Sequence, residues 1–373
     1  MGIRKVAGTV AVALLGFAVP QPAQARPADA ETVRPRAVVS GVNGRIALRP
    51  DGRQFATVDG GTVRQWSAVT GAPAGTPITG ITGTVHAIEF GADGDLLAVA
   101  GDSGVSLWDP ATGQRTTRQL TGHTGPVRAV VFSAAGDAVA TAGDDGTARL
   151  WDPATGRLLH TLTGHAGGVR NVVFTRDGRR LATTGADNTV RLWDAGTGRS
   201  IGEPLTVNPG PVYATSFSPD GRLLAASGGS NVVRFWNPAT GDPAGSQIAT
   251  VAGPVYSLTF SLGKKLLATS AGDTGTVQVW DTTTRRAALA PLTGHTGPVR
   301  AMRYVRGGNL LATGGDDGTV RMWSTATGSL EGAPLTGHDG AVWSLRIVPG
   351  KRLITAAADG KVRLWRFTDR DDA

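Results

Sequence analysis

Eight tryptophans fall at nearly constant intervals along this chain. Trp66, Trp108, Trp151, Trp193, Trp236, Trp280, Trp323 and Trp365 are separated by 42, 43, 42, 43, 44, 43 and 42 residues. A fold with one central core has no reason to keep that register, whereas stacked copies of one supersecondary unit must keep it. Within the unit that contains Trp151, Val127 to Phe132, Ala138 to Ala142, Thr147 to Trp151 and Leu158 to Leu162 read as four short strands. They are parted by Ala134-Ala135-Gly136, Asp144-Asp145-Gly146 and Pro153-Ala154-Thr155-Gly156. Asp-Gly between apolar runs is a strong hairpin signal, and no window sustains a helical period. The 54 glycines and 21 prolines are spread through the units, as many tight turns require. The expectation is an all-β chain: an eight-bladed β-propeller of four-stranded antiparallel blades.

The third unit also carries Gly122-His123, Val127, Asp145 and Trp151-Asp152. With these residues it resembles the tryptophan–aspartate (WD) repeat family, and the likeness runs from about Arg36 to Phe367. Seven blades, the commoner number in that family, is the alternative. It would strand the segment before Ile78, which has its own Asp59-Gly60 turn and Trp66. The chain stops soon after the third strand of its last unit, and Arg36 to Gly41 stands where a fourth strand belongs. The N-terminal strand is therefore expected to complete the last blade and remove the open edges.

The resemblance implies a buried network of His, Ser/Thr, Asp and Trp in each repeat. Four units match it fully: His123-Thr141-Asp145-Trp151, His165-Thr183-Asp187-Trp193, His295-Thr313-Asp317-Trp323 and His338-Thr355-Asp359-Trp365. Buried indole, hydroxyl and imidazole groups must pair. The other units depart from the pattern. At the histidine position they carry Asn43, Ile81, Asn208 and Val251; units one, two and five are read as lacking the Ser/Thr, and unit five the Asp. Intact and degraded units thus alternate in adjacent pairs. Units three and seven share Leu-Thr-Gly-His-Thr-Gly-Pro-Val-Arg-Ala at 120–129 and 292–301, which suggests duplication of a four-blade block. Blades 1, 2, 5 and 6 are expected to be locally less stable.

A hydroxyl, imidazole and carboxylate together also invite a catalytic reading. The set recurs four times, each time with a tryptophan, and nothing resembles a nucleophile elbow or an oxyanion donor. The histidines lie about one blade apart without a second ligand nearby, so no metal site is read. No cofactor and no catalytic residue are assigned, and lysine is confined to Lys5, Lys264, Lys265, Lys351 and Lys361.

Binding chemistry is sought at the residue after the first Val of each innermost strand, 22 to 24 residues before the repeat tryptophan. Round the ring this gives Gly44, His86, Arg128, Arg170, Tyr213, Tyr256, Arg300 and Trp343. Neighbouring strand positions hold Val, Ala and Ile, yet here Arg and aromatic residues prevail, the types that dominate interface hot spots. By the resemblance this position faces the mouth of the central channel. Trp343 is the one tryptophan outside the repeat register. Asp144 and Asp316 are read as added acidic rim contacts. The reading is a non-catalytic scaffold for a protein or peptide partner, with a carbohydrate or anionic ligand, or a propeller-type enzyme, as alternatives.

The first 25 residues read as a secretory signal. Arg4 and Lys5 precede the apolar stretch from Val6 to Pro20, and Ala23-Gln24-Ala25 is a small-x-small cleavage site. That stretch is shorter than the roughly 20 apolar residues a membrane helix needs. Residues 26–35 are read as a linker, 36–368 as the propeller and 369–373 as a polar tail. A secreted monomer without a membrane span is expected, and the absence of cysteine fits a fold held without disulfides. The formal charge of +8 comes from arginines distributed one or more per unit, so no specific nucleic-acid surface is read.

Overall fold

The computed structural model describes residues 35, 37–41, 45–207, 210–250 and 253–367. The expected signal at 1–25, the tail at 369–373 and all but residue 35 of the expected linker lie outside the described residues, as do Asn43, Gly44, Asn208 and Val251. The described chain is β-structure throughout, apart from two single 3₁₀ turns at Gly272–Thr274 and Arg306–Gly308.

The strands form eight sheets, one for each tryptophan, so the ring is an eight-bladed β-propeller of antiparallel blades. Blade 3 shows the plan: Val127–Phe132 innermost, then Val139–Gly143, Ala148–Trp151 and Leu158–Leu162 at the rim. Second strands such as Leu97–Gly101, Val139–Gly143 and Leu224–Gly228 are buried at every residue. Their sequences, LAVAG, VATAG and LAASG, are rich in Ala, Gly and Ser. Small side chains let both faces of the sheet approach a neighbouring blade.

The core therefore lies between blades. Ala98, Ala100, Val105, Leu107 and Leu120 of blade 2 pack against Val127, Val130, Val139 and Trp151 of blade 3. Trp193 enters the face of blade 3 in the same way. The seam between blades 8 and 1 is equally packed, with Val348, Ile354, Val362 and Leu364 against Ile46, Phe55 and Ala68. Six of the eight repeat tryptophans are buried, and Trp66 and Trp280 are half-buried. Truncating a buried tryptophan of this kind costs about 3–5 kcal/mol.

The outer strands depart from four-strand regularity. In blades 1, 6 and 7 the fourth strand is reduced to isolated bridges, Trp66 to Pro73, Trp280 to Ala287 and Trp323 to Leu330 among them. In blade 5 it shrinks to Ile248–Ala249. Those rim segments contain Pro73 and Pro77, Pro291, Pro334 and Pro243. A proline supplies no N–H to a ladder, so pairing survives only in fragments. The outermost strand of blade 8 is Ala37–Ser40, antiparallel to Lys361–Arg366, with Ala37 opposite Leu364 and Ser40 opposite Lys361.

Candidate functional site

Four blades contain the complete relay. In blade 3 the Trp151 indole donates to Thr141 Oγ1 at 2.9 Å, His123 Nε2 lies 2.8 Å from the same oxygen, and His123 Nδ1 lies 2.8 Å from Asp145. Blades 4 and 7 repeat this with His165, Thr183, Asp187 and Trp193, and with His295, Thr313, Asp317 and Trp323. Blade 8 does so with His338, Thr355, Asp359 and Trp365. In blades 3, 4 and 7 the indole N–H leaves the threonine hydroxyl free to donate to Nε2, so the imidazole donates from Nδ1 to the carboxylate; in blade 8 Arg363 Nη1 also stands 2.6 Å from His338 Nδ1. Burial pushes all four imidazoles below their usual value and outweighs the neighbouring carboxylates.

Sequence reading missed one member. Thr147, Thr189 and Thr319 each donate a hydroxyl and a backbone N–H to the relay aspartate. In each case the signal is a threonine two residues beyond that aspartate. The hydroxyl–imidazole–carboxylate set carries no substrate access, because the histidine side chains are nearly inaccessible. Among the described residues no group of three His, Asp or Glu side chains can hold a metal ion.

The degraded units need correction. Unit one does have its hydroxyl: Thr57 accepts from Trp66 Nε1 at 2.8 Å. Its hairpin is one residue shorter, with nine residues instead of ten from threonine to tryptophan, and this hid the register. Thr269 likewise serves Trp280. In blade 2, Val99 stands at the threonine position and Ile81 at the histidine position, both against one apolar cluster, while Ser106 accepts from Trp108. At the aspartate position of blade 2, Ser103 donates to the Thr82 carbonyl.

In blades 3, 4 and 7 a glycine (Gly143, Gly185, Gly315) stands where imidazole and carboxylate meet. A Cβ on Gly143 would lie 2.5 Å from His123 Nδ1 and 2.9 Å from Asp145 Oδ1. Blade 8 carries Ala357 there, and its His338–Asp359 contact is the longest of the four, at 3.1 Å. Gly143→Ala is expected to lower stability by about 1–3 kcal/mol through this crowding, read as a fall in the urea midpoint. An unchanged midpoint would mean that the relay yields without loss.

The mouth residues form one ring, but they are not equivalent. His86 Nε2 lies 2.7 Å from Asp102, and Arg128 Nε donates to Asp144 at 2.9 Å with Nη2 joining the same carboxylate. Arg300 grips Asp316 through Nε at 3.0 Å and Nη2 at 2.8 Å, and its guanidinium lies 4.2 Å over the Tyr256 ring. Tyr256 donates its hydroxyl to Asp273 at 3.1 Å. Asp144 and Asp316 are therefore partners of their own blade's arginine instead of separate acidic rim contacts. The Thr84 N–H and His86 hold the Asp102 carboxyl down at about 2, and Arg128 lowers that of Asp144.

Tethered blades 2 and 3 stand across the eight-blade ring from tethered blades 6 and 7. Between them, the corresponding residues of blades 4, 5 and 8 are open. Arg170 is exposed with no carboxylate partner among the described residues, Tyr213 is 46% exposed and Trp343 is 53% exposed. Tyr213 keeps a tilted ring contact with Tyr256 at 5.3 Å. The rim position that holds Asp144 in blade 3 holds Ala186, Gly229 and Ala358 in these three blades, so no acid can reach across.

Three residues beyond each mouth residue lies a second tier, which sequence reading did not single out. It reads Ala47, Glu89, Val131, Val173, Ser216, Thr259, Arg303 and Arg346. A pocket of about 460 Å³ joins the tiers on one side, from His86, Arg128, Arg170 and Trp343 down to Arg45, Glu89 and Arg346. On the opposite face, between blades 5 and 6, a groove of about 460 Å³ is lined by Pro219, Leu223, Phe260 and Leu262, the last 67% exposed.

A ring of sheets whose tryptophans are anchored by hydroxyl, imidazole and carboxylate defines a tryptophan-anchored β-propeller. The chain belongs to the WD40 family. The model described as WD domain, G-beta repeat matches residues 75–109, 114–152, 156–194, 202–237, 245–281, 287–324 and 330–366. To these seven matches the structure adds the blade around Trp66. Each match begins in or beside the outermost segment of one blade and ends one residue past the tryptophan of the next, so the sequence repeat straddles two blades. No curated protein matches the chain. Among solved structures, the crystal structure of the computationally designed protein Ika8 is similar, with 25% identity and a TM-score of 0.78, over 90% of this chain and 100% of that one. Propellers of this family are typically protein-interaction scaffolds and generally not catalysts.

Proposed function

We propose that this protein is a non-catalytic scaffold working outside the cytoplasm, and that it engages a protein or peptide partner at the channel mouth. The observation that carries this reading is the unevenness of the mouth. Arg170, Tyr213 and Trp343 are open, whereas His86, Arg128, Tyr256 and Arg300 are held by carboxylates and frame them. Aromatic and arginine side chains that lose water on binding contribute most to interface affinity. A solvent-exposed tryptophan on a rigid strand costs little entropy to immobilise. The extracytoplasmic location rests on the leader-like residues 1–25.

The test is affinity capture from the native exterior of the source cell, with the wild-type chain beside Trp343→Ala/Tyr213→Ala. The double variant is expected to lose a partner, or to hold it at least about tenfold more weakly. Arg128→Ala should matter less, since it also frees Asp144. Identical partner lists and affinities for all three would remove the mouth from the function.

A further inference from the structure

We propose that the lower tier of the channel is a binding site for a small, multiply charged oxyanion of the inorganic phosphate type, held between Arg303 and Arg346. The two arginines occupy equivalent positions on the adjacent innermost strands Val299–Val305 and Val342–Val348. The strands themselves hold both guanidiniums in place. Arg303 Nη1 donates to the Met302 carbonyl at 2.9 Å. Arg346 donates from Nη1 to Leu345 at 3.1 Å and from Nη2 to Ile46 of blade 1 at 3.3 Å. A guanidinium has five N–H donors in a planar fork, so most of them remain for a ligand in the channel.

No carboxylate takes them. Among the described residues, neither guanidinium makes an ion pair. Glu89, the one acid of this tier, feels both electrostatically without touching either. Two cations therefore act on one anion, and Arg45 adds a further positive charge to the pocket that Glu89 and Arg346 line. The remaining tier positions, Ala47, Val131, Val173, Ser216 and Thr259, bring no charge. These groups are surrounded by protein yet reached by water: Arg303 is exposed to the channel, and Glu89 and Arg346 partly so. Such a lumen focuses its field on a small anion, and the guanidinium fork matches oxygens set on one central atom. Burial first, and the neighbouring Arg346 second, bring Arg303 down to about 10, in keeping with an uncompensated positive site.

The inference does not depend on the mouth having a protein partner, and its test uses none. Inorganic phosphate, sulfate and chloride are titrated into the full chain at matched ionic strength, followed by calorimetry and by thermal unfolding. Phosphate and sulfate should bind saturably at a single site and raise the melting temperature, and chloride should not. Arg346→Gln and Arg303→Gln should each weaken phosphate by about tenfold or more. Glu89→Gln, which keeps the shape and removes the opposing charge, should tighten it several-fold. This last variant is informative even if an arginine variant folds poorly. Absence of saturable binding, equal responses to chloride and phosphate, or weaker binding by Glu89→Gln would each overturn the proposal.

Discussion

Thr183→Val is expected to lower the unfolding free energy by about 3 kcal/mol, because one hydroxyl serves two buried partners. Thr183 is 0% exposed, accepts from Trp193 Nε1 at 2.9 Å and lies 2.8 Å from His165 Nε2. Valine matches threonine in shape, so no cavity opens. The loss comes from leaving an indole N–H and an imidazole nitrogen without partners, at roughly 1–3 kcal/mol apiece. Thr57→Val is the internal comparison: Thr57 serves only the half-buried Trp66, and about 1 kcal/mol is expected. Blade 2 shows how the cost is avoided, since Ile81 and Val99 replace both partners with apolar groups. His165→Ile added to Thr183→Val should therefore restore part of the loss. Repeat arrays can open unit by unit, so urea midpoints should be paired with hydrogen exchange at blades 3 to 5. Equal, small losses for Thr57→Val and Thr183→Val would show that the imidazole link contributes nothing.

Acid should unfold the protein in two stages. The four relay histidines have folded-state pKa values below the ordinary 6.5, with burial as the leading cause. Below about pH 6.5 the unfolded chain takes up these protons first, so stability declines as pH falls toward 5. Asp187 and Asp359 supply the second stage. Burial works against their charge, but hydrogen bonds prevail: from the Ala166 and Thr189 N–H groups on one, and from Arg363 and the Asp339 N–H on the other. Both carboxyls are held at about 2 against an ordinary 3.8. Each contributes about 2 kcal/mol that is present above pH 4 and lost on the way to pH 2. Glu89 acts in the opposite sense, since burial raises its pKa, and it softens the acid decline. Urea midpoints at pH 7.5, 5.5, 4 and 2.5 would trace both stages. A midpoint unchanged from 7.5 to 4 would mean that the histidines are charged in the folded state.

The ring was legible because the tryptophan interval is a property of the whole unit and survives small changes inside it. Hairpin detail was not, because a single residue more or less moves a side chain to another neighbour. Thr57 escaped notice for that reason. Asp273 sits in the relay register of blade 6, one residue past the N–H that bonds Pro254, yet it accepts from Tyr256. The mouth positions could be found from one strand alone, since arginine and aromatic residues interrupt a run of valine and alanine. Which of them are open could not, because the deciding residue lies sixteen positions later, as Asp144 does for Arg128 or Ala186 for Arg170. The lower tier carried a visible signal, charge at Glu89, Arg303 and Arg346 where other units place small or apolar residues. Its meaning depends on strands from blades 2, 7 and 8 meeting across one channel.

Pairing of Ala37 with Leu364 has a consequence for how the molecule comes into being. A ribosome delivers the outer strand of blade 8 before the strands of the other seven blades and its three companions after them. Seven blades can gather while that strand waits with its edge unpaired, a state open to the wrong neighbour. The last seam to form joins residues more than three hundred positions apart, so closing the circle is expected to be the slow step. Two molecules caught at this stage could exchange their leading strands and mature as an interlinked pair.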